Sequence, residues 1–177
     1  MIFYYTGSEF YNAVQNNVEK SIGGYLSSSQ VPNQSLNNVF SDISKISKEQ
    51  GLVETKAIVL KNTTGTDVTN VNLYQNYPVG VLCKIEWAAV SLVGGQKMEK
   101  IPNFRSCPYV GTFNEPNGAG NQILLSNNFV KNDVIGLCVR RTITLPDPDN
   151  AVDPLELEAY LNALVKKEEI EVILSYN

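Results

Sequence analysis

The sequence predicts an all-β dominated fold, an antiparallel β-sandwich with one C-terminal helix inserted before the last strand. Many short runs of β-branched and aromatic residues alternate with polar residues, which is the pattern of half-buried strands. Turn-forming residues separate these runs, and only one segment carries the periodicity and capping residues of a helix. The chain has 177 residues, the length of one ordinary domain, so we expect residues 1–177 to form a single β-sandwich domain.

The N-terminal part is predicted to be a loop-rich arm. After a strand at residues 2–5, the segment 6–51 is rich in Asn, Ser and Gln, with short strands expected near 22–27 and 39–43. Its apolar residues occur singly and follow no strand or helix period, so they form no face that could enter a core. They are Phe10, Val14, Val18, Ile22, Leu26, Val31 and Leu36. We therefore expect the arm to bury them against other chains or against the outside of its own sandwich.

The middle of the chain carries the clearest strand patterns. Residues 52–60 and 68–74 are β-branched runs on either side of a turn rich in Thr, Asn and Gly, which predicts a β-hairpin. A longer strand is predicted at 81–93, where Trp87 shares one face with apolar neighbours. Residues 134–145 predict the last central strand, because apolar residues recur at every second position.

A linker and a helix are predicted at residues 146–167. Asp153 is a good N-cap, and Pro154 suits the first helical position because it lacks an N–H group. The helix itself is predicted at 154–167, where leucines at helical spacing form one apolar stripe: Leu157, Leu161 and Leu164. Alternating residues after position 170 predict a final strand.

The composition excludes several classes of function. The chain contains no histidine, so no Ser-His-Asp triad, Cys-His pair or histidine metal site can form. The net charge of −4 argues against a nucleic-acid-binding surface, and no apolar run is long enough for a membrane span. The odd number and wide spacing of the cysteines predict free thiols, with no disulfide or zinc site, at Cys83, Cys107 and Cys138. The first five residues lack the features of a secretion signal.

No segment carries a convincing cofactor or metal motif. Residues 147–153 place carboxylates as in a calcium loop, but Ala151 and Val152 stand where a ligand and a glycine are needed, which favours a linker. Residues 118–121 are rich in glycine but lack the lysine and the helix of a phosphate-binding loop, which favours a simple loop. The sequence therefore predicts no catalytic, cofactor-binding or metal-binding residues.

Two aromatic and basic features have alternative interpretations. Arg140 and Arg141 are adjacent on a predicted strand, so they point to opposite faces and cannot both bind one ligand. The simpler expectation is one exposed arginine and one at the rim of the sandwich, and the alternative is a salt bridge between subunits. Trp87 and the tyrosines could line a carbohydrate site, but the apolar neighbours of Trp87 favour packing in the core.

Four segments resemble a family of small virion structural proteins of tailed bacteriophages, of the tail or neck type. In that family, an S-x-G-G segment and an N-x-F-D-D-V-S-like segment precede strands of the forms x-I-Y-V-K-N-T and x-I-W-V-R-R-T. The matching segments occur here in the same order, and the Asn-rich composition is similar to that of a crAss-like phage. They are residues 21–27 (SIGGYLS), 38–44 (NVFSDIS), 57–63 (AIVLKNT) and 134–142 (VIGLCVRRT).

The resemblance implies a non-enzymatic virion protein, most simply a ring or connector subunit of the tail or neck. Its expected partners are copies of itself in a ring and other virion proteins, assembled in the host bacterial cytoplasm. We expect inter-subunit contacts at Phe10, Tyr25, Arg140 and Arg141. The alternatives are a carbohydrate- or receptor-binding sandwich module, or a decoration or head-fibre protein on the capsid surface.

Overall fold

The computed structural model describes residues 1–33, 39–40, 51–76, 83–102, 112–143 and 171–177. Within these ranges the chain is all-β, with antiparallel strands in two sheets, as predicted. The predicted helix at 154–167 and most of the predicted strand near 39–43 lie outside the described residues. The strands are β1 (Ile2–Ser8), β2 (Gly24–Gln30), β3 (Leu52–Lys61), β4 (Val68–Asn76), β5 (Cys83–Val90), β6 (Lys97–Met98), β7 (Ile123–Phe129), β8 (Val134–Ile143) and β9 (Glu171–Ser175).

The two sheets pack face to face around one apolar core. The large sheet has the order β5-β8-β3-β1-β2-β6, and the small sheet has the order β7-β4-β9. Cross-strand partners share a face of a sheet, so alternate residues of each strand enter the core. The large sheet contributes Ile58, Leu60, Ile85, Trp87, Leu137 and Val139, and the small sheet region contributes Val68, Val71, Leu73 and Phe129.

The opposite face of the large sheet is also apolar. There a second cluster joins Ala57 and Val59 of β3 to residues of β2, β5, β6 and β8, including Met98, which is 1% exposed. Strand β3 is therefore buried on both faces, which explains why its sequence reads as a continuous apolar run rather than an alternating one. Cys138 is buried in this cluster, as its position in an apolar run predicted. The expectations for Cys107 and for the thiol of Cys83 lie outside what the structure describes.

The predicted hairpin at 52–74 is wrong in its pairing, although both strands are present. Strand β3 belongs to the large sheet and β4 belongs to the small sheet. Both edges of β3 are already occupied, by β1 and by β8, so no edge remains for β4. The turn between them is held by Asn62, which is fully buried and donates to the carbonyls of Thr66 and Phe129 at 2.9 and 2.8 Å. The chain therefore crosses between sheets where the local pattern indicated a simple reversal.

Part of the segment 6–51 belongs to the large sheet. The strand expected near 22–27 is β2, and Leu26, which is only 3% exposed, packs in the second cluster on the face away from the small sheet. At Ala57, β3 is hydrogen-bonded to Ser21 instead of to β1. The Ala57 N–H donates to the Ser21 carbonyl at 2.7 Å, and the Ser21 hydroxyl donates to the Ala57 carbonyl at 2.6 Å. Thr6 also donates to this carbonyl, at 2.6 Å. Buried hydroxyls thus join this polar segment to the sheet, a contribution that apolar periodicity does not reveal.

Candidate functional site

Arg140 and Arg141 point to opposite faces of the large sheet, as predicted for adjacent strand residues. Arg141 lies inside the sandwich, 3% exposed, and its Nε donates to Glu54 Oε1 at 2.6 Å. Glu54 faces Arg141 because the two are direct cross-strand partners, and the Phe40 ring centroid lies 4.8 Å from the guanidinium carbon. The expectation of an exposed arginine beside one at the rim is therefore wrong. Because Arg141 is buried, it offers no surface to another subunit.

Trp87 is a core residue, as its neighbours predicted. It is 3% exposed, and its indole Nε1 donates to Gln75 Oε1 at 2.7 Å. The Gln75 amide in turn donates to the Ile85 carbonyl at 2.8 Å, which links the two sheets through a buried polar contact. Trp87 therefore cannot line a carbohydrate site at the surface.

Residues 112–118 form a strap that joins the β5 edge of the large sheet to β4 of the small sheet. Asn114 exchanges two backbone hydrogen bonds with Trp87, at 2.8 and 2.9 Å. Four residues later, the Gly118 N–H donates to the Gln75 carbonyl at 2.9 Å. The strap therefore covers the centre of the β5 edge, which would otherwise expose unpaired backbone groups.

A group of charged side chains holds the strap against the outer face of the large sheet. Arg140 Nε donates to Glu86 Oε2 at 2.8 Å, and Lys84 Nζ lies 2.9 Å from the other oxygen of Glu86. The strap residue Phe113 stacks on the Arg140 guanidinium at 4.0 Å, and Glu115 lies 3.8 Å from Lys84 Nζ. Arg140 is thus paired within the chain, and Glu86 is the centre of the group.

Glu86 stabilises the fold at neutral pH, and this contribution is lost at acid pH. Burial alone would raise the pKa of Glu86, but hydrogen bonds from Arg140 and Lys84, together with their positive charges, outweigh it, so the pKa lies below its ordinary value of 4.5. A carboxyl with a lowered pKa stabilises the folded state above its unfolded pKa, and this contribution disappears as the pH falls through the folded pKa.

We expect Glu86→Gln to lower the free energy of unfolding by about 1–3 kcal/mol at neutral pH, because it removes the charged acceptor of these hydrogen bonds. The difference from wild type should shrink as the pH falls below 4.5. Urea unfolding across this pH range measures it, with Glu99→Gln, which changes an exposed carboxylate, as the control. A difference that stayed constant with pH would contradict the role of the Glu86 charge.

Residues 9–17 form an edge loop that covers the outer edge of β2 beyond its pairing with β6. The Asn12 N–H donates to the Leu26 carbonyl at 2.9 Å, and the Ser28 N–H donates to the Ala13 carbonyl at 3.1 Å. The side chain of Gln15, which is 8% exposed, donates to the Thr6 carbonyl. The edge loop is therefore fixed by hydrogen bonds to the sheet rather than by burial of its apolar side chains.

Exposed apolar and aromatic residues lie on the backbone segments that meet at this edge, and we name these residues the outer-edge surface. The Ser8 hydroxyl lies within hydrogen-bond distance of the Phe10 and Tyr25 carbonyls, at 2.9 and 3.2 Å, which brings these two residues together. Val93 pairs with Lys97, and Lys97 pairs in turn with Tyr25 of β2. The Lys97 ammonium lies 5.2 Å from the centroid of the Tyr25 ring. The surface consists of Phe10 (63% exposed), Tyr11 (40%), Val14 (80%), Val93 (72%) and the half-buried Tyr25.

The structure separates the four residues predicted to make inter-subunit contacts into two groups. Phe10 and Tyr25 lie together at the outer-edge surface, whereas Arg140 and Arg141 lie on β8, three places from β2 in the large sheet. Sequence reasoning did not assign Val93 to this surface. Val93 stands directly before a Gly-Gly turn, and this position in the sequence could have indicated that its side chain is exposed.

Comparisons of the chain with protein-family models, with curated proteins and with solved structures find no match. The part of the chain that the structure describes holds no group of three or more Cys, Asp and Glu residues that could bind a metal ion. No helix in these ranges has the length and apolar character needed to cross a membrane. The calcium-like segment 147–153 lies outside the described residues, and the glycine-rich segment 118–121 contains a short 3-10 turn.

Proposed function

We propose that this chain is a non-enzymatic structural protein of a bacteriophage virion, a ring or connector subunit of the tail or neck that assembles with copies of itself. The observation that carries the proposal is the outer-edge surface, which holds four of the eight exposed large apolar side chains among the described residues. Concentrated exposed apolar surface is typical of protein–protein contact sites. Other virion proteins are the further proposed neighbours, and assembly takes place in the host bacterial cytoplasm.

The rigid presentation of these side chains supports an assembly role. Phe10 and Val14 stand on an edge loop whose backbone is hydrogen-bonded to β2, so little conformational entropy is lost when a partner covers them. Each such side chain contributes about 1.5–3 kcal/mol when it is fully buried. A head-to-tail contact that closes into a ring repeats this gain in every copy.

Three of the four segments that resemble phage virion proteins are neighbours in the fold, which supports the proposal of a virion protein. Residues 21–27 contact Ala57 through Ser21, and residues 57–63 lie alongside 134–142 as β3 and β8. These three segments therefore belong to one connected part of the large sheet, and most of the fourth segment, 38–44, lies outside the described residues. Among the alternatives, a carbohydrate-binding module loses its main candidate residue because Trp87 is buried.

We expect wild-type protein to associate in a concentration-dependent way and Phe10→Ser/Val14→Ser to weaken this association at least about tenfold, because two anchors of the contact are lost. Sedimentation velocity measures the association, and negative-stain images should show closed rings of the wild type. A capsid decoration would bind another protein through this surface, and the isolated chain would then form no rings.

The matched control is Leu124→Ser/Val130→Ser, which removes two exposed apolar side chains from the β7 region, at 52% and 45% exposure. This control should associate like the wild type, and both double variants should keep the wild-type circular dichroism spectrum. A wild type that stays monomeric at high concentration would overturn the proposal. Equal weakening by the two double variants would overturn the choice of surface.

A further inference from the structure

The strap contains the one Asn-Gly step of the sequence, Asn117-Gly118. An asparagine followed by glycine is chemically reactive, because glycine has no Cβ to shield its backbone nitrogen from the neighbouring side-chain carbonyl. The step lies where the strap meets β4, since Asn117 forms an isolated parallel bridge with Gln75. Gln75 is fully buried, so this reactive pair is attached to the interior of the sandwich.

Backbone hydrogen bonds occupy the reactive nitrogen of Gly118 and fix the residues on either side of it. The Gly118 N–H donates to the Gln75 carbonyl at 2.9 Å, and the Gln75 N–H donates to the Pro116 carbonyl at 2.8 Å. The Asn117 N–H donates to the Glu115 carbonyl at 2.9 Å. To react, Gly118 must leave the Gln75 carbonyl and rotate toward the Asn117 side chain, which requires this end of the strap to open.

We propose that Asn117 is a spontaneous modification site whose conversion to aspartate and isoaspartate is gated by opening of the strap. The Gly118 nitrogen loses its proton and forms a bond to Asn117 Cγ, and the side-chain nitrogen leaves as ammonia. Water then opens the resulting cyclic imide at either carbonyl. The net reaction consumes one water and releases one ammonia, and it needs no other reactant.

Conversion to isoaspartate, unlike conversion to aspartate, prevents the strap from closing again. Opening the imide at the backbone carbonyl gives isoaspartate, which inserts a methylene group into the main chain directly before Gly118. The Gly118 N–H can then no longer meet the Gln75 carbonyl while Asn114 stays paired with Trp87. The strap therefore loses its attachment to β4, and the buried Gln75 carbonyl loses its partner.

The test incubates intact protein at mildly alkaline pH and follows Asn117 by peptide mass spectrometry and enzymatic isoaspartate labelling. We expect conversion in the folded protein to be at least about tenfold slower than in urea-unfolded protein, because closure of the strap protects the site. Phe113→Ser, which removes the stacking on Arg140, should raise the folded-state rate. Asn117→Gln should abolish conversion in this peptide.

Hydrogen exchange of the Gly118 amide provides a second measurement that does not depend on the variants. In wild-type protein, conditions that accelerate exchange of this amide should accelerate conversion in parallel. Equal rates in folded and unfolded protein, or no conversion in the unfolded chain, would overturn the proposal. The proposal would also be overturned if the conversion rate of Asn117 stayed constant while exchange of the Gly118 amide became faster.

Discussion

Glu54→Met is expected to destabilise the fold by about 3–5 kcal/mol, because it removes the carboxylate that pairs with the buried Arg141 guanidinium. Arg141 is 3% exposed and inside the sandwich, and an arginine cannot lose its charge by releasing a proton. The cross-strand register places Glu54 directly opposite Arg141. Equilibrium unfolding in urea measures the loss.

The double variant Glu54→Met/Arg141→Met separates the value of the ion pair from the cost of leaving the buried Arg141 charge after Glu54 is removed. Replacing both members of a buried pair with apolar residues of similar volume is often close to neutral. We therefore expect the double variant to recover most of the stability that Glu54→Met loses. A double variant less stable than Glu54→Met would contradict this expectation, because removing the buried Arg141 charge would then restore no stability.

Gly23→Ala is expected to cost about 2–5 kcal/mol, because backbone strain and steric overlap act together. Gly23 has a φ of +93°, and a Cβ added there would overlap the Glu99 carbonyl. Gly7 is constrained in the same way, because its φ is +85° and a Cβ added there would overlap the Lys20 carbonyl. In both cases the obstacle is backbone, which cannot move aside as a flexible side chain could.

Gly65→Ala is the matched control for the steric part of this cost. Gly65 has a similar φ of +91°, but a Cβ added there would meet no atom within 4 Å. We expect this variant to lose only the strain of a left-handed residue, about 1–2 kcal/mol. If Gly23→Ala and Gly65→Ala lost equal stability in thermal unfolding, close backbone packing at Gly23 would not be the cause.

Strand positions could be predicted from the sequence because they depend on local alternation. The strand predicted at 134–145 is β8, and the run at 52–60 is β3, each correct to within two residues. Pairing could not be predicted in the same way, because it depends on which edges other strands occupy. Strand β4 follows β3 after a short turn but joins the other sheet, since β1 and β8 already hold both edges of β3.

The N-terminal segment shows why apolar periodicity is an incomplete guide. Lys56 is fully buried, and its charge is neutralised by Glu19 at 2.7 Å, a partner 37 residues earlier in the chain. No local pattern indicates such a pair. The segment was expected to bury its apolar side chains against other chains or against the outside of its own sandwich, and buried hydrogen bonds of Ser21 and Thr6 also join it to the large sheet.

The candidate site was predictable only in part, for a similar reason. Phe10 was singled out because it is apolar in a polar segment, and it is indeed exposed. Its neighbour Val93 comes from a turn about eighty residues later and reaches the same edge only through the pairing of β6 with β2. A surface built from distant segments becomes visible only when the strand order is known.

The position of β3 in the large sheet also sets the order in which the protein can be completed during synthesis. Its two neighbours come from opposite ends of the chain: β1 begins at residue 2, and β8 begins at residue 134. A ribosome delivers the N-terminal half first, so β3 must wait for β8 with one edge unpaired. Sheets closed by such distant segments fold slowly, because the loop entropy is lost before the contacts form. A nascent chain of this protein therefore stays incomplete until most of it has emerged, while the residues of its outer-edge surface are already made.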